Sequence, residues 1–331
     1  MEIIIDKRIE LMTIIQTLCG YWDNLSIKST NKYLHQSRYK KNVQEHFEKY
    51  RKHKIIELYS VLCNDITDIS FFLNMALCYS DPPELDNTAN FEINFDEISR
   101  MIFPYEEFIN ELRDFYFNTD YERFFQNNQS EYDQILNNYG NIIKLKTHLI
   151  SDYLDAKTEN YTVIISPMIF GNFNIKINTH ENRILHYSLI SPFDYKDELY
   201  NFGSLNLKKS IIWHEIGHLT INDLTKNHIT HFKINEKEIP EIFIRNFYTN
   251  IETIINEYII RAITIRVFEI NGESDFIRSL MELSIQNGFK NIETIKKYIE
   301  KHFEENNKLI KDNRYKELIE YIIRNIKKSK E

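Results

Sequence analysis

The chain has 331 residues, 42% apolar and 27% charged, long enough to bury one large core or two smaller ones and too apolar to stay disordered. A net charge of -8 argues against nucleic acid as a partner, because phosphate neutralisation needs a basic face. With only 7 Gly and 6 Pro, tight turns are scarce, which favours helices joined by short polar loops over an all-β architecture.

Near the N-terminus, Asp6, Lys7, Arg8 and Glu10 interrupt the apolar run of roughly 7–15 residues that a secretory signal requires. No segment approaches the roughly 20 apolar residues of a membrane span. The expected location is the cytoplasm if Met1 is the native start, or outside it if a signal has been trimmed away. Asp6 is placed to cap a helix carrying Ile9, Leu11, Met12, Ile15 and Leu18 at helical spacing. Similar periodicity covers Asn42–Cys63 and Glu106–Phe117, and Asp81-Pro82-Pro83 breaks the chain between them. Cys19, Cys63 and Cys78 lack metal-type spacing and read as free buried thiols. The 22 Phe and 21 Tyr are expected in the core rather than in a cleft.

The pattern changes near residue 160. Tyr161–Ser166 is short, apolar and β-branched. Phe173, Ile175 and Ile177 alternate with polar residues over 172–178, and Ile184–Ile190 is a third candidate strand. Three short strands in a row suggest a small, mostly antiparallel sheet. Helical spacing returns at Leu205 and continues to about Leu219. Phe243–Phe268 reads as a second long helix. Three more follow near 274–286, 291–305 and 313–327, with Ser274 and Asn291 as candidate caps. The expected organisation is a helical region over 1–150, a catalytic core over 151–272 and C-terminal helices over 273–331.

Residues 211–219, IIWHEIGHL, contain H-E-x-x-H. On a helix, positions i and i+4 share a face, so His214 and His218 can present both imidazoles to one Zn²⁺. Glu215 is rotated roughly 100° from His214, where its carboxylate can reach a water beside the metal without ligating. Chance alone would place this pattern in about 3 of 100 chains of such composition. Gly217 costs about 1 kcal/mol against Ala in mid-helix, and a small residue there allows close packing beside the metal. A catalytic zinc needs a third protein ligand and an open position. The longer pattern with a third His is absent, since Ile221 and Leu224 stand where Gly and His would. His228 and His231 read as loop histidines. Glu257, 39 residues after His218 among apolar neighbours, is the better candidate, because a buried carboxylate needs a cation. Arg261, at i+4, could be that cation in a helical salt bridge, or could act behind a ligating Glu257. Glu252 is the alternative ligand; Glu238 and Glu241 flank Pro240 and read as solvated.

Asn256-Glu257 resembles the Asn-Glu step that follows H-E-x-x-H in gluzincins of the thermolysin type, although Arg261 stands where an acidic residue would be expected. With Asp6-Lys7-Arg8-Ile9-Glu10-Leu11, the Phe-rich run at 114–125, WHEIGH and NEYIIRA at 256–262, the chain is similar over roughly residues 6–270 to a bacterial family catalogued as a domain of unknown function. Exported members are common in that family, and its zinc motif is metallopeptidase-like. The resemblance implies an α+β fold with a zincin-like core: a small sheet and an active-site helix between helical N- and C-terminal parts.

The expected activity is zinc-dependent peptide hydrolysis, with a peptide or protein as substrate. Zinc activates a water, Glu215 takes its proton and passes it to the leaving amine. A second donor to the oxyanion is required, for which Tyr248, Tyr258, His231 and Arg261 are candidates. The strands at 172–178 and 184–190 are candidate edges for an extended substrate. The rival readings are a zinc hydrolase of non-peptide bonds and a non-catalytic protein stabilised by zinc. Against the latter, no Cys lies near the motif and Glu215 would have no purpose. Oligomeric state is not legible.

Overall fold

In a computed structural model of the chain, the first element is a short strand, β1 (Glu2–Ile4), and the second a helix buried on every side beyond its first turn, α1 (Lys7–Leu18). Asp6 caps this helix as expected, accepting from the backbone N–H groups of Arg8 and Ile9. All residues from Ile9 to Leu18 are buried, the signature of a helix enclosed by its neighbours. The structure describes residues 1–20, 37–65, 70–91, 104–156, 158–169, 171–230, 232, 239–245, 248, 250–304 and 314–328.

These residues form two units. The first comprises Met1–Ile142 and Glu159–Ser204, the second Ile143–Thr158 and Leu205–Glu331. In the first, α1 is packed by α2 (Arg38–Phe47), α3 (Lys54–Asp65) and α4 (Phe71–Leu77). After β2 (Ala89–Asn90) come α5 (Tyr105–Asn118), α6 (Tyr121–Asn127) and α7 (Gln129–Tyr139). The aromatic residues do build core here. Tyr39, Phe47, Phe72, Phe108, Phe115, Tyr121 and Tyr132 are fully buried, and Phe47 meets Phe124 edge-on at 4.7 Å. Cys19, Cys63 and Cys78 are free thiols, the last buried and the others partly so.

The sheet of this unit has five strands, with β3 (Tyr161–Ile165), β4 (Phe173–Thr179) and β5 (Ile184–Ile190) in the order β1-β3-β5-β4-β2. The pairs β1–β3 and β3–β5 are parallel, while β5–β4 and β4–β2 are antiparallel. The sheet is therefore mixed rather than mostly antiparallel. Its two outer strands, of three and two residues, are too short to show a period of two in the sequence. β5 lies inside the sheet, with both edges already bonded, so it cannot accept a substrate strand. A hairpin follows, β6 (Asp194–Lys196) and β7 (Leu199–Asn201). Its two-residue loop, Asp197-Glu198, has φ of 52° and 62°, the positive values that a type I′ turn requires at both positions.

In the second unit, α8 (His148–Leu154) and α9 (Leu205–Ile229) pack on α11 (Ile251–Ile270), whose residues from Ile254 to Phe268 are buried save Arg261 and Arg266. Between them lies the one-turn α10 (Glu241–Arg245). α12 (Ser274–Gln286), α13 (Ile292–Ile299) and α14 (Tyr315–Lys328) complete the layer around α11. No helix of the described residues is long and apolar enough to cross a membrane.

Several helix expectations need correction. Asn42–Cys63 is two helices, α2 and α3, separated by a 3₁₀ turn at Glu48–Tyr50. α9 runs ten residues past Leu219, because Thr220, Ile221 and Thr225 continue its buried stripe and Thr225 Oγ1 meets Tyr315 Oη at 2.7 Å. The stretch Phe243–Phe268 is two helices, since Asn250 caps α11 by accepting from Thr253 N–H at 2.8 Å. Glu273, not Ser274, precedes α12. Asn291 does precede α13, but its amide donates to the carbonyl of Asn325 instead of capping.

Candidate metal centre

The sequence places His214 and His218 one turn apart on α9, and the structure brings Glu257 of α11 against both. His214 Nε2 lies 3.2 Å from His218 Nε2 and 3.3 Å from Glu257 Oε1, and His218 Nε2 lies 3.6 Å from the same oxygen. Four ligands at about 2.0–2.1 Å in a tetrahedron stand about 3.3 Å apart, so these three donors match one face of such a site. The approach of the two helices depends on Gly217. A Cβ there would lie 2.8 Å from Ile260 Cγ2 on α11. Trp213, one turn before Gly217 on the same face of α9, adds a second tie: its Nε1–H donates to the Leu145 carbonyl at 2.8 Å while its ring lies on Phe268 of α11.

The second oxygen of Glu257 is bound elsewhere. Arg261 Nε donates to Oε2 at 3.0 Å, and the Tyr248 hydroxyl donates to it at 3.4 Å. Arg261 also donates to Tyr248 Oη at 3.1 Å and stacks on Phe289, with Cζ 4.6 Å from the ring centre. Arg261 thus acts behind Glu257, and Glu257 offers one oxygen toward the histidines. Burial works to raise the Glu257 pKa, but His214 and Arg261 outweigh it and hold the carboxylate well below its usual range. Glu215 is in the opposite state. Burial pushes it up to about 7, with His218 pulling down, Glu257 adding to the rise and Arg261 opposing it. It is buried beside the donors without being one of them.

The other expected residues are placed as follows. Asn256 is buried, and its Oδ1 has no partner among the described residues. Tyr258 turns away from the donors into a cluster with Phe243 and Phe289. Glu252 occupies the first turn of α11, where a helix N-terminus favours an acid, and is outside the donor group. His228 is helical rather than in a loop, with Nδ1 bonded to the Leu224 carbonyl at 2.8 Å. Glu241 is exposed at the start of α10. His231 and Glu238 lie outside the described residues. Asn222 was missed: its Oδ1 stands 2.9 Å from His218 Nδ1, and the signal for it was its i+4 position on the same helix face. Nothing in the sequence announces Phe289.

A second cluster, His53, Glu111 and Asp114, brings three potential ligands together in the first unit. It suits a cation poorly. Lys54 already pairs with Glu111 at 3.0 Å, and His53 Nδ1 accepts from Ile55 N–H at 3.3 Å. A neutral His53 then carries its proton on Nε2, facing Asp114 Oδ2 at 3.0 Å, and offers a metal no lone pair there.

A family model described as a domain of unknown function, DUF4932, matches residues 1–327. No curated protein and no solved structure matches the chain.

Proposed function

The chain belongs to this family, and we propose that it is a zinc metallopeptidase whose ligands are His214, His218 and Glu257 and whose general base is Glu215. The observation that carries this reading is the donor triangle with sides of 3.2, 3.3 and 3.6 Å, built from two helices and flanked by a buried carboxyl. Two imidazoles and one carboxylate form a donor set that zinc accepts, with a fourth position left for water or substrate. Bound there, zinc supplies Lewis acidity and lowers the pKa of a water.

The chain's own residues supply the rest. Glu215, held near neutrality by burial, is suited both to accept a proton from an attacking water and to return it to a leaving amine. Amide cleavage requires that second transfer, because an amine leaves only when protonated. Arg261 and Tyr248 fix the Glu257 carboxylate and compensate its charge. The Tyr248 hydroxyl, whose pKa burial pushes up to about 12, stays protonated as a donor. Among the described residues no fourth His, Cys, Asp or Glu joins these three donors, which favours a catalytic site over a structural one closed by four.

The test is zinc content by elemental analysis of the parent and His214→Ala, followed by incubation with a peptide library. About one zinc per chain, lost in the variant, is expected. Glu215→Gln is expected to retain zinc and lose several orders of magnitude in turnover. Zinc uptake with cleavage of esters or other non-peptide bonds alone would transfer the site to another hydrolase class, and normal peptide turnover in Glu215→Gln would remove the base.

A further inference from the structure

For an imidazole to bind a metal through Nε2, its proton must reside on Nδ1, and something must hold it there. In the gluzincin pattern that the sequence resembles, the Asn-Glu step lies on the helix of the third ligand. Here the Asn of that step, Asn256, is buried and makes no hydrogen bond through Oδ1 among the described residues. The acceptor facing His218 comes from α9 itself. Asn222, one turn beyond His218, presents Oδ1 to Nδ1 at 2.9 Å while His218 Nε2 faces His214 and Glu257.

We infer that Asn222 is a positioning residue for the metal centre, fixing His218 as the Nδ1–H tautomer and aiming its Nε2 lone pair at the ion; this rests on the metal site proposed above. The His53 cluster supplies the contrast. There the backbone N–H of Ile55 occupies Nδ1, so the proton is driven to Nε2 and the ring becomes a donor to Asp114. At His218 an acceptor occupies Nδ1 and the outcome reverses. A polar residue at the exposed position 222 has no packing role, so its removal separates tautomer control from fold stability. Ala is also the better helix former there.

The experiment titrates the parent, Asn222→Ala and Asn222→Asp with Zn²⁺ against a chelator of known affinity, melts the metal-free proteins, and reads the His218 tautomer by ¹⁵N NMR without metal. Asn222→Ala should bind zinc about 10–100-fold more weakly with a metal-free Tm no lower than the parent's. Asn222→Asp, an acceptor only, should match or exceed the parent's affinity. His218 should be Nδ1–H in the parent and a mixture in Asn222→Ala. Parent-like affinity in Asn222→Ala, equal losses in both variants, or an unchanged tautomer would overturn the role of Asn222. Failure of the parent to take up zinc would instead overturn the metal reading, and the tautomer measurement would still judge the Asn222–His218 pair.

Discussion

Gly217→Ala tests whether the metal centre depends on helix approach, and it touches no donor. The added Cβ would lie 2.8 Å from Ile260 Cγ2, 3.3 Å from Cγ1 and 3.5 Å from Ile260 Cβ. Carbon atoms prefer about 3.5–4.0 Å, so the nearest contact is short by most of an ångström. Ile260 cannot easily swing aside: it is 1% exposed, and a β-branched side chain in a helix has one strongly preferred χ1. Relief must come from separating α9 and α11. Replacing Gly by Ala in mid-helix gains about 1 kcal/mol of propensity, whereas overpacking costs about 1–3 kcal/mol, so the net change in metal-free stability runs from about zero to a loss of about 2 kcal/mol. Metal affinity is the sharper readout. Gly217 lies between the two histidines, and Ile260 lies one turn beyond Glu257, so a helix separation of about 0.7 Å, the difference between 3.5 and 2.8 Å, passes directly into the His–Glu separation. Zinc binding by isothermal titration should weaken about tenfold or more, given that such constellations tolerate about 0.5 Å. Ile260→Ala alone should cost about 2–5 kcal/mol through its cavity. Combined with Gly217→Ala it should restore zinc affinity, with a coupling of about 0.5–3 kcal/mol between the sites. A Gly217→Ala protein that is about 1 kcal/mol more stable and binds zinc like the parent would refute the reasoning, because the helices would then have slack.

Three further outcomes follow from the same geometry. Glu257→Ala should abolish stoichiometric zinc, while Glu252→Ala should leave it intact; elemental analysis of both reads the assignment, and retained metal in Glu257→Ala would move the third ligand elsewhere. Arg261→Met leaves Glu257 buried with its permanently charged partner removed, which should cost about 3–5 kcal/mol in metal-free urea unfolding and less with zinc bound; equal losses in both forms would contradict the charge balance. In the first unit, burial pushes Glu10 up to about 7, Ser166 and Tyr39 offsetting part of the rise and Asp6 adding to it. Its unfolded value is 4.5, so the folded chain holds a proton that the unfolded chain releases: this contribution is intact below pH 4.5, declines up to about pH 7 and is constant above. Glu10→Gln should therefore gain on the parent as pH rises from 5.5 to 8.5 in chemical unfolding, and a pH-independent difference would show Glu10 ionised in the fold.

The parts of the fold that were legible are those whose signals are local. Asp6 capping α1, the alternation of β4 and the apolar stretch of β5 each follow from a few adjacent residues, and all appear in place. That His214, His218 and Glu257 come together was legible for a different reason. Helical spacing alone aligns the histidines, and a carboxylate among isoleucines demands a cation wherever it folds. What escaped depends on remote partners. β1 is three residues long and exists through its register with β3, some 160 positions away. The segment 143–158 joins the second unit although it lies between two stretches of the first, and the Trp213–Leu145 bond that ties it there has no trace in either neighbourhood. α9 was read too short because Thr220 and Thr225 are polar in sequence and buried in the fold.

The electrostatics of the centre lead to one more consequence. His214 Nε2, His218 Nε2 and Glu257 Oε1 are all lone-pair atoms within 3.2–3.6 Å of one another, and such atoms repel unless a proton or a cation lies among them. With Asn222 drawing the His218 proton to Nδ1, His214 is the ring left to place an N–H toward Glu257 in the metal-free protein. A metal bound there would have to displace that proton, either to His214 Nδ1 or to solvent. Arg261 and Tyr248 meanwhile hold Glu257 Oε2, so the carboxylate would offer a metal one oxygen rather than two. If the proposed metal binds here, one oxygen and two nitrogens already face one another, and the change it would ask of these three donors is the loss of a single proton from His214 Nε2. Preorganisation of this kind lowers the cost of binding without adding a contact, which is why changes at Gly217, Asn222 and Arg261 are expected to be felt at the metal as strongly as changes in the ligands' own neighbours.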